Sequence, residues 1–275
     1  MRVLVLGGTI FLGRHIVETL LARGDDVTIF HRGERGRELF PRVRRVLGDR
    51  SNDLDRLPDI EWDAVVDTSG YLPHVVATSA NLLKDRAEQY VFISSVSVYD
   101  ITQPAIDESS PTPELPPGAS RDEFAMENYG FLKLLCEREA TAAFGAERTL
   151  NVRPGLIVGP HDPSDRFTYW PLRFARGGDI VVPNDPDAPI QWIDVRDLAE
   201  FVVGAIDRLR AGNVNTVGPE KTAIFGLVAS GVAMRYATAR PGSSLSRGYT
   251  SRANNVMPFT VSSWSRKPAW PMISK

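Results

Sequence analysis

Tyr129 and Lys133 stand four residues apart in the stretch ENYGFLK, a spacing that places both side chains on one face of a helix. A free phenol ionises near pH ~10 and is a poor base at neutrality, but a lysine ammonium beside it stabilises the phenolate and lowers that value, so such a pair can move a proton. A lone Tyr-x-x-x-Lys recurs by chance, and the alternative reading is a buried tyrosine with a snorkelling lysine. Weight comes from VFISSVSVY earlier in the chain, where a strand-like run ends and offers Ser95, four residues before Tyr99.

A second candidate opens the chain. In VLVLGGTIFLGRHIV a strand-like run, Val3 to Leu6, enters a glycine turn at Gly7, Gly8 and Gly13, and a helical pattern follows. In a dinucleotide-binding fold such a turn bends tightly, lets backbone approach a pyrophosphate and packs helix on strand, while the helix N-terminus supplies N–H donors. Gly7 and Gly13 suit the first and last of these roles. Ile10 stands where a middle glycine is normal, which redirects the phosphate contact unless the side chain points aside; Thr9, Phe11 and Leu12 complete the candidate cradle. Glycine turns also join strands to helices for packing alone, and the turn by itself does not decide. About 20 residues on, where an Asp or Glu would take ribose hydroxyls, VTIFHRGERG offers His31 and Arg32, with Arg35 nearby. A cation there suits a 2′-phosphate, hence NADP over NAD, although a solvated basic turn would read the same way. Asp49, in LGDR, either reaches an adenine edge or is an ordinary polar strand end.

The elements that must hold these residues follow from an alternation of short β-branched runs with amphipathic windows, the pattern of an α/β chain with a doubly wound parallel sheet of Rossmann type. Strands are expected at Val3–Leu6, Val27–Phe30, Arg45–Leu47, Ala64–Asp67, Tyr90–Ser94 and Leu150–Val152. Leu12, Ile16, Val17, Leu20 and Leu21 recur at helical spacing and Gly24 follows as a C-terminal cap. A second helix is expected from Tyr129 to Ala143. ITQPAIDESSPTPELPPGAS reads as a surface loop bordering the site, and RFTYWPLRF as either a cleft lining or a packing helix.

Composition bounds the rest. With 275 residues, 43% hydrophobic and 24% charged, the chain can bury a sizeable core. A single cysteine, Cys136, forms no internal disulfide and reads as core; with four scattered histidines it gives no metal constellation and fits a reducing cytoplasm. No leader is expected before the first strand, and no apolar run approaches the roughly 18 residues of a membrane span. Neither Gly-x-Ser-x-Gly nor His-Glu-x-x-His is present to anchor hydrolase chemistry. The net charge of −2 hides an asymmetry: every acidic residue lies at or before Glu220, and the last 55 residues carry eight Lys or Arg.

The order of glycine turn, strand-ending serine and Tyr-x-x-x-Lys resembles the extended short-chain dehydrogenase/reductase superfamily. RPGLIVGP (Arg153 to Pro160) is similar to its segment after the sixth strand, and IQWIDVRDLAEFVV (Ile190 to Val203) to its strand-plus-helix with a Val-x-Asp-Leu/Val-Ala motif. The GGTxFxG turn resembles an atypical branch that includes NAD-dependent epimerase/dehydratase proteins and the chloroplast stem-loop-binding proteins. The resemblance implies catalysis by Ser95, Tyr129 and Lys133. Ser95 would orient the substrate oxygen whose carbon gives or receives a hydride, and Lys133 would also hydrogen-bond the nicotinamide ribose. It further implies that Gly7, Thr9, Ile10, Phe11, Leu12, Gly13, His31, Arg32 and Asp49, with Tyr129 and Lys133, bind NADP or, second, NAD. Two departures narrow the reaction. Val96 and Ser97 follow Ser95 where sugar-nucleotide dehydratases carry Asp-Glu, and Leu156 stands where sugar-nucleotide epimerases carry asparagine. A reductase or epimerase-like oxidoreductase acting on an alcohol or carbonyl of a small molecule remains, with sugar nucleotides still open as substrates. The competing reading is a nucleotide-sensing or RNA-binding protein that retains the fold, against which the acidic balance of the first 220 residues counts.

The expected division is an NAD(P)-binding Rossmann domain over 1–220, containing part of a small, incomplete substrate region at about 155–190, and an anomalous basic tail over 221–275. That tail has no Asp or Glu and no helical or alternating period. It is either an authentic disordered extension or the product of a reading-frame shift near Lys221, which would leave catalysis impaired. The oligomeric state stays open, a dimer included.

Overall fold

The computed structural model describes residues 1–100, 105–114, 117–176, 190–218 and 272–273. Strand alternation builds its centre. In β1 (Arg2–Leu6) Val3 and Val5 face one side and Leu4 and Leu6 the other, all four fully buried, as a strand covered on both faces requires. Val3 and Val5 join a core with Ile16, Val17 and Leu20 of α1 (Phe11–Arg23) and Leu198, Val202 and Ile206 of α5 (Val195–Asp207). Leu4 and Leu6 pack instead with Val76, Ala80 and Leu83 of α2 (Pro73–Leu83) and Cys136, Ala140 and Phe144 of α3 (Tyr129–Phe144). The result is a sheet between two helical layers.

The other strands of that sheet are β2 (Asp26–His31), β3 (Arg44–Leu47), β4 (Trp62–Asp67), β5 (Ala87–Ile93), β7 (Thr149–Pro154) and β10 (Gly212–Thr216). All seven run parallel in the order β10-β7-β5-β4-β1-β2-β3. The order reverses between β1 and β4, and the crevice beyond the carboxyl ends at such a switch point is where open α/β sheets hold ligands. Two short pairs lie outside the sheet, β6 (Ala105–Ile106) with β11 (Met272–Ile273) and β8 (Leu156–Val158) with β9 (Trp192–Asp194).

Every expected strand is present, with Ser94 falling just beyond β5. Gly24 closes α1 in the left-handed conformation at φ 89°, with Gly24 N donating to Leu21 O and Asp25 N to Leu20 O, the hydrogen bonds of a Schellman ending. RFTYWPLRF contributes a helix, α4 (Tyr169–Arg176). The basic tail, apart from β11, lies outside the described residues, as do 177–189 of the expected substrate region.

Candidate active site

The proton-moving candidates meet where β5 ends. Ser95, in extended backbone, caps a single 3-10 turn (Val96–Val98): its Oγ accepts from Ser97 N at 3.1 Å and donates to Ser97 Oγ at 3.1 Å. Tyr129 begins α3. Asn128 fixes that start, accepting from Ala125 N at 2.9 Å and donating to Ser120 O and Glu123 O at 2.8 and 3.1 Å. Gly130 lets α3 approach the serine turn so closely that a Cβ there would overlap the Ser97 carbonyl. Burial and the neighbouring Tyr71 phenol hold Tyr129 above the ordinary tyrosine range, while the Ser95 hydroxyl and the Arg166 guanidinium draw it back.

Lys133 is oriented differently from expectation. Its Nζ is buried, donates to Gly70 O at 2.8 Å and Ile93 O at 2.6 Å, and lies 4.2 Å over the Phe92 ring. Burial brings its pKa down to about 8, against the pull of Cys136, Asp67 and Glu137. The expected lowering of the Tyr129 phenol by this ammonium is therefore corrected. The cation is committed to the carbonyls at the exits of β4 and β5, and desolvation dominates at the phenol. One turn further along α3, Glu137 accepts from Arg153 Nε and Nη2 at 2.9 and 2.6 Å, and Arg153 Nη1 donates to Tyr99 OH at 2.6 Å, which donates to Asn215 Oδ1 at 2.9 Å. This buried chain pins α3 to β7 and β10, fixing where Tyr129 and Lys133 point.

The second group lines the exits of β1, β2 and β3. Gly7 adopts φ 105°, and a Cβ on Gly13 would lie 2.9 Å from Gly8 N, so these two glycines do serve the bend and the helix–strand contact. Ile10 is 45% exposed in extended backbone. No side chain caps α1, which leaves its first-turn N–H groups, lacking intrahelical acceptors, available to an anion. Thr9 and Leu12 flank the turn, and Phe11 holds an unusual φ of 39°. Across the crevice, Thr68 Oγ1 and Ser69 Oγ both donate to Leu6 O, at 2.9 and 3.2 Å, tying the β4 exit to that of β1.

His31 ends β2 buried, its Nδ1 accepting from Gly33 N at 3.2 Å and its Nε2 without a partner. Burial, with Arg45 and Arg37, lowers its pKa and keeps it neutral. Arg32 is exposed and 3.5 Å from Glu34. Asp49 accepts from Ser51 N at 2.8 Å, which together with the Ser51 hydroxyl, Arg32 and Arg50 holds its carboxyl below the usual range. The structure thus gathers all the sequence-derived candidates on the carboxyl rim of one sheet, in two groups.

Several residues there carried no sequence signal. Asp67, wholly buried at the end of β4, accepts from both Arg50 Nη atoms at 2.6 and 2.7 Å, from Tyr90 OH at 2.8 Å and from Ser69 N at 3.0 Å. Arg50 also donates to Ser79 Oγ at 2.6 Å. Tyr71 and Phe124, from loops far apart in sequence, stack around Tyr129. The repeated basic and acidic residues at the opposite, amino-terminal end of the sheet, Arg2, Asp26, Asp63 and Arg86 among them, line an open polar cleft of about 780 Å³. It holds none of the proton-moving groups and is not the candidate site. Cys136 is core, its thiol pushed up to about 12 by burial. Among the described residues no cluster could hold a metal ion, and no helix is long and apolar enough to cross a membrane.

Residues 3–218 match the model of the NAD dependent epimerase/dehydratase family. The chloroplast stem-loop binding protein of 41 kDa b from Arabidopsis thaliana is 26% identical over 247 residues, covering 82% of this chain but only 60% of that protein. The epimerase family protein SDR39U1 of Mus musculus is 26% identical over 242 residues, covering 81% of this chain and 76% of its own. Among solved structures, human SDR39U1 with NADPH superposes at a TM-score of 0.59 with 24% identity, covering 87% of this chain and 81% of that one. The UDP-glucuronic acid 4-epimerase of Bacillus cereus with NAD superposes at 0.69 with 20% identity, covering 87% and 85%. These structural likenesses concern the fold.

Proposed function

Since the chain belongs to the NAD-dependent epimerase/dehydratase family, we propose that it is an NADP-preferring oxidoreductase acting at an alcohol or carbonyl carbon, with Tyr129 moving the accompanying proton. The observation that carries this reading is the meeting of Ser95 and Tyr129 at the mouth of the crevice, where the serine hydroxyl draws the pKa of the phenol down against its burial, with the cofactor cradle on the same rim. The cradle fits such a cofactor in three ways. The uncapped start of α1 suits a pyrophosphate, and the Gly13 contact admits close backbone. At the β2 exit, His31 accepts at Nδ1, so Nε2 carries the proton and is a buried donor in want of an acceptor oxygen,. Arg32 would meet a 2′-phosphate. Human SDR39U1 was crystallised with NADPH, which supports the same preference.

When bound, the nicotinamide exchanges a hydride with the substrate carbon. Tyr129, held above the ordinary tyrosine range, keeps its proton at neutral pH, which suits it to protonate a carbonyl oxygen. Ser95 holds that oxygen with its hydroxyl. Lys133 keeps the β4 and β5 exits in register beneath it. The acidic balance of the first 220 residues weighs against an RNA-binding role, because backbone binding requires a cationic surface.

The test is titration with NADPH and NADH, then turnover on a panel of carbonyl and sugar-nucleotide substrates by the parent and by Tyr129→Phe. The variant is expected to keep cofactor binding and lose at least about 100-fold in turnover. Unchanged turnover would reduce the Ser–Tyr–Lys match to a fold signature.

A further inference from the structure

Two aromatic rings close a triangle with the proposed proton donor. Tyr71 and Phe124 meet edge to face at 5.7 Å, Phe124 and Tyr129 at 6.2 Å, and Tyr71 and Tyr129 lie tilted at 6.5 Å. Tyr71 and Phe124 are each 48% exposed, and Met126 beside them in sequence is 72% exposed. Lys133 holds the Tyr71 end in place, bonding the carbonyl of Gly70 and lying 5.3 Å from the Tyr71 ring. A rigid aromatic patch that is left open to solvent is costly unless something covers it, and this one is continuous with the reacting phenol.

We infer that the substrate carries an aromatic or other flat, unsaturated ring next to its reacting carbon, and that Tyr71 and Phe124 select it. This rests on the function proposed above. Offset and edge-on contacts of a planar ring with such a wall are favourable beyond the area they bury. A sugar turns hydroxyls outward around its whole edge, and those would need donors and acceptors. Here the phenol oxygens of Tyr71 and Tyr129 are the polar groups the wall itself supplies, and Tyr129 is engaged with the reacting oxygen.

The experiment uses the full chain loaded with NADPH, with acetophenone as the flat-ring probe and dihydroxyacetone as the polar one. Reduction is followed by nicotinamide absorbance and binding by saturation-transfer NMR. Phe124→Ala and Tyr71→Leu are expected to raise KM for acetophenone at least about tenfold, with kcat changed less than about threefold. Phe124→Leu serves in place of either variant that fails to fold. The inference is overturned if dihydroxyacetone is the better substrate, or if acetophenone binding is unmoved by the substitutions. Binding of acetophenone that depends on Phe124 without reduction of any carbonyl would uphold the ring wall and refute the oxidoreductase reading instead.

Discussion

Replacing Arg50 with Met should expose how much the crevice floor depends on one buried charge pair. In the parent, burial pushes the Asp67 carboxyl up, but the paired Arg50 guanidinium, with Tyr90 and Ser69 N, overrides this and holds it below the ordinary carboxylate range. Methionine keeps the arginine stem and deletes the cation. Asp67 retains its bonds from Tyr90 OH and Ser69 N but becomes an uncompensated buried charge, a change that costs about 3–5 kcal/mol. At 2–4 °C per kcal/mol for a domain of this size, the midpoint should fall by roughly 6–20 °C.

The pH dependence has a definite sign. In the parent, the depressed carboxyl contributes stability that is present above its unfolded pKa and is lost as pH falls through the folded value. In Arg50→Met, burial without the guanidinium raises that carboxyl, so the folded variant binds a proton that the unfolded chain does not. Its deficit is then largest at pH 8 and shrinks toward pH 5. Urea denaturation followed by circular dichroism at both values measures this, with Arg50→Met/Asp67→Asn as the companion. A deficit below about 1 kcal/mol at pH 8, or a double variant no more stable than the single one, would refute the argument that an unpaired charge is responsible.

NADP(H) should bind more tightly than NAD(H) by about 1–2 kcal/mol, and Arg32→Ala should remove most of that difference; equal affinities in the parent would sink the assignment of Arg32. Lys133, with a pKa of about 8 when folded, is a depressed cation, so the unfolded chain binds the extra proton above pH 8. The parent should therefore gain about 1.4 kcal/mol of stability relative to Lys133→Met between pH 7 and pH 9, and a relative loss in denaturation curves would contradict its burial as an ammonium. For residues 221–275 we propose a shifted reading frame, and translating the other two frames beyond codon 220 should give an acidic, amphipathic continuation; if neither does, the tail is authentic.

The glycine turn, α1 and the six anticipated strands were readable because their signals are local: a β-branched run, a 3.6 period ending at Gly24, a Tyr and a Lys one helical turn apart. What escaped is long-range. Asp67 pairs with Arg50 across 17 residues and Glu137 with Arg153 across 16, and neither pair stands out in a chain rich in both charges. Tyr71 and Phe124 are isolated aromatics in loops until the fold brings them to Tyr129. The direction of the Tyr129 shift is hidden from the sequence for a related reason. Spacing on a helix gives a shared face, but not the two carbonyls that capture Lys133.

The margins of the sheet have a consequence for the protein in crowded solution. A terminal strand offers unpaired N–H and C=O groups on which another molecule's strand can template. On β10, Asn215 N is already taken by Glu108 Oε1 at 2.8 Å, which lays a carboxylate against that edge. On β3 the border is Arg44 and Arg45, the latter folding its guanidinium back onto the carbonyls of Arg37 and Leu39. An incoming strand must displace an acid at β10 and meets two adjacent arginine charges at β3, so both borders resist the edge-to-edge growth through which partly unfolded α/β chains aggregate.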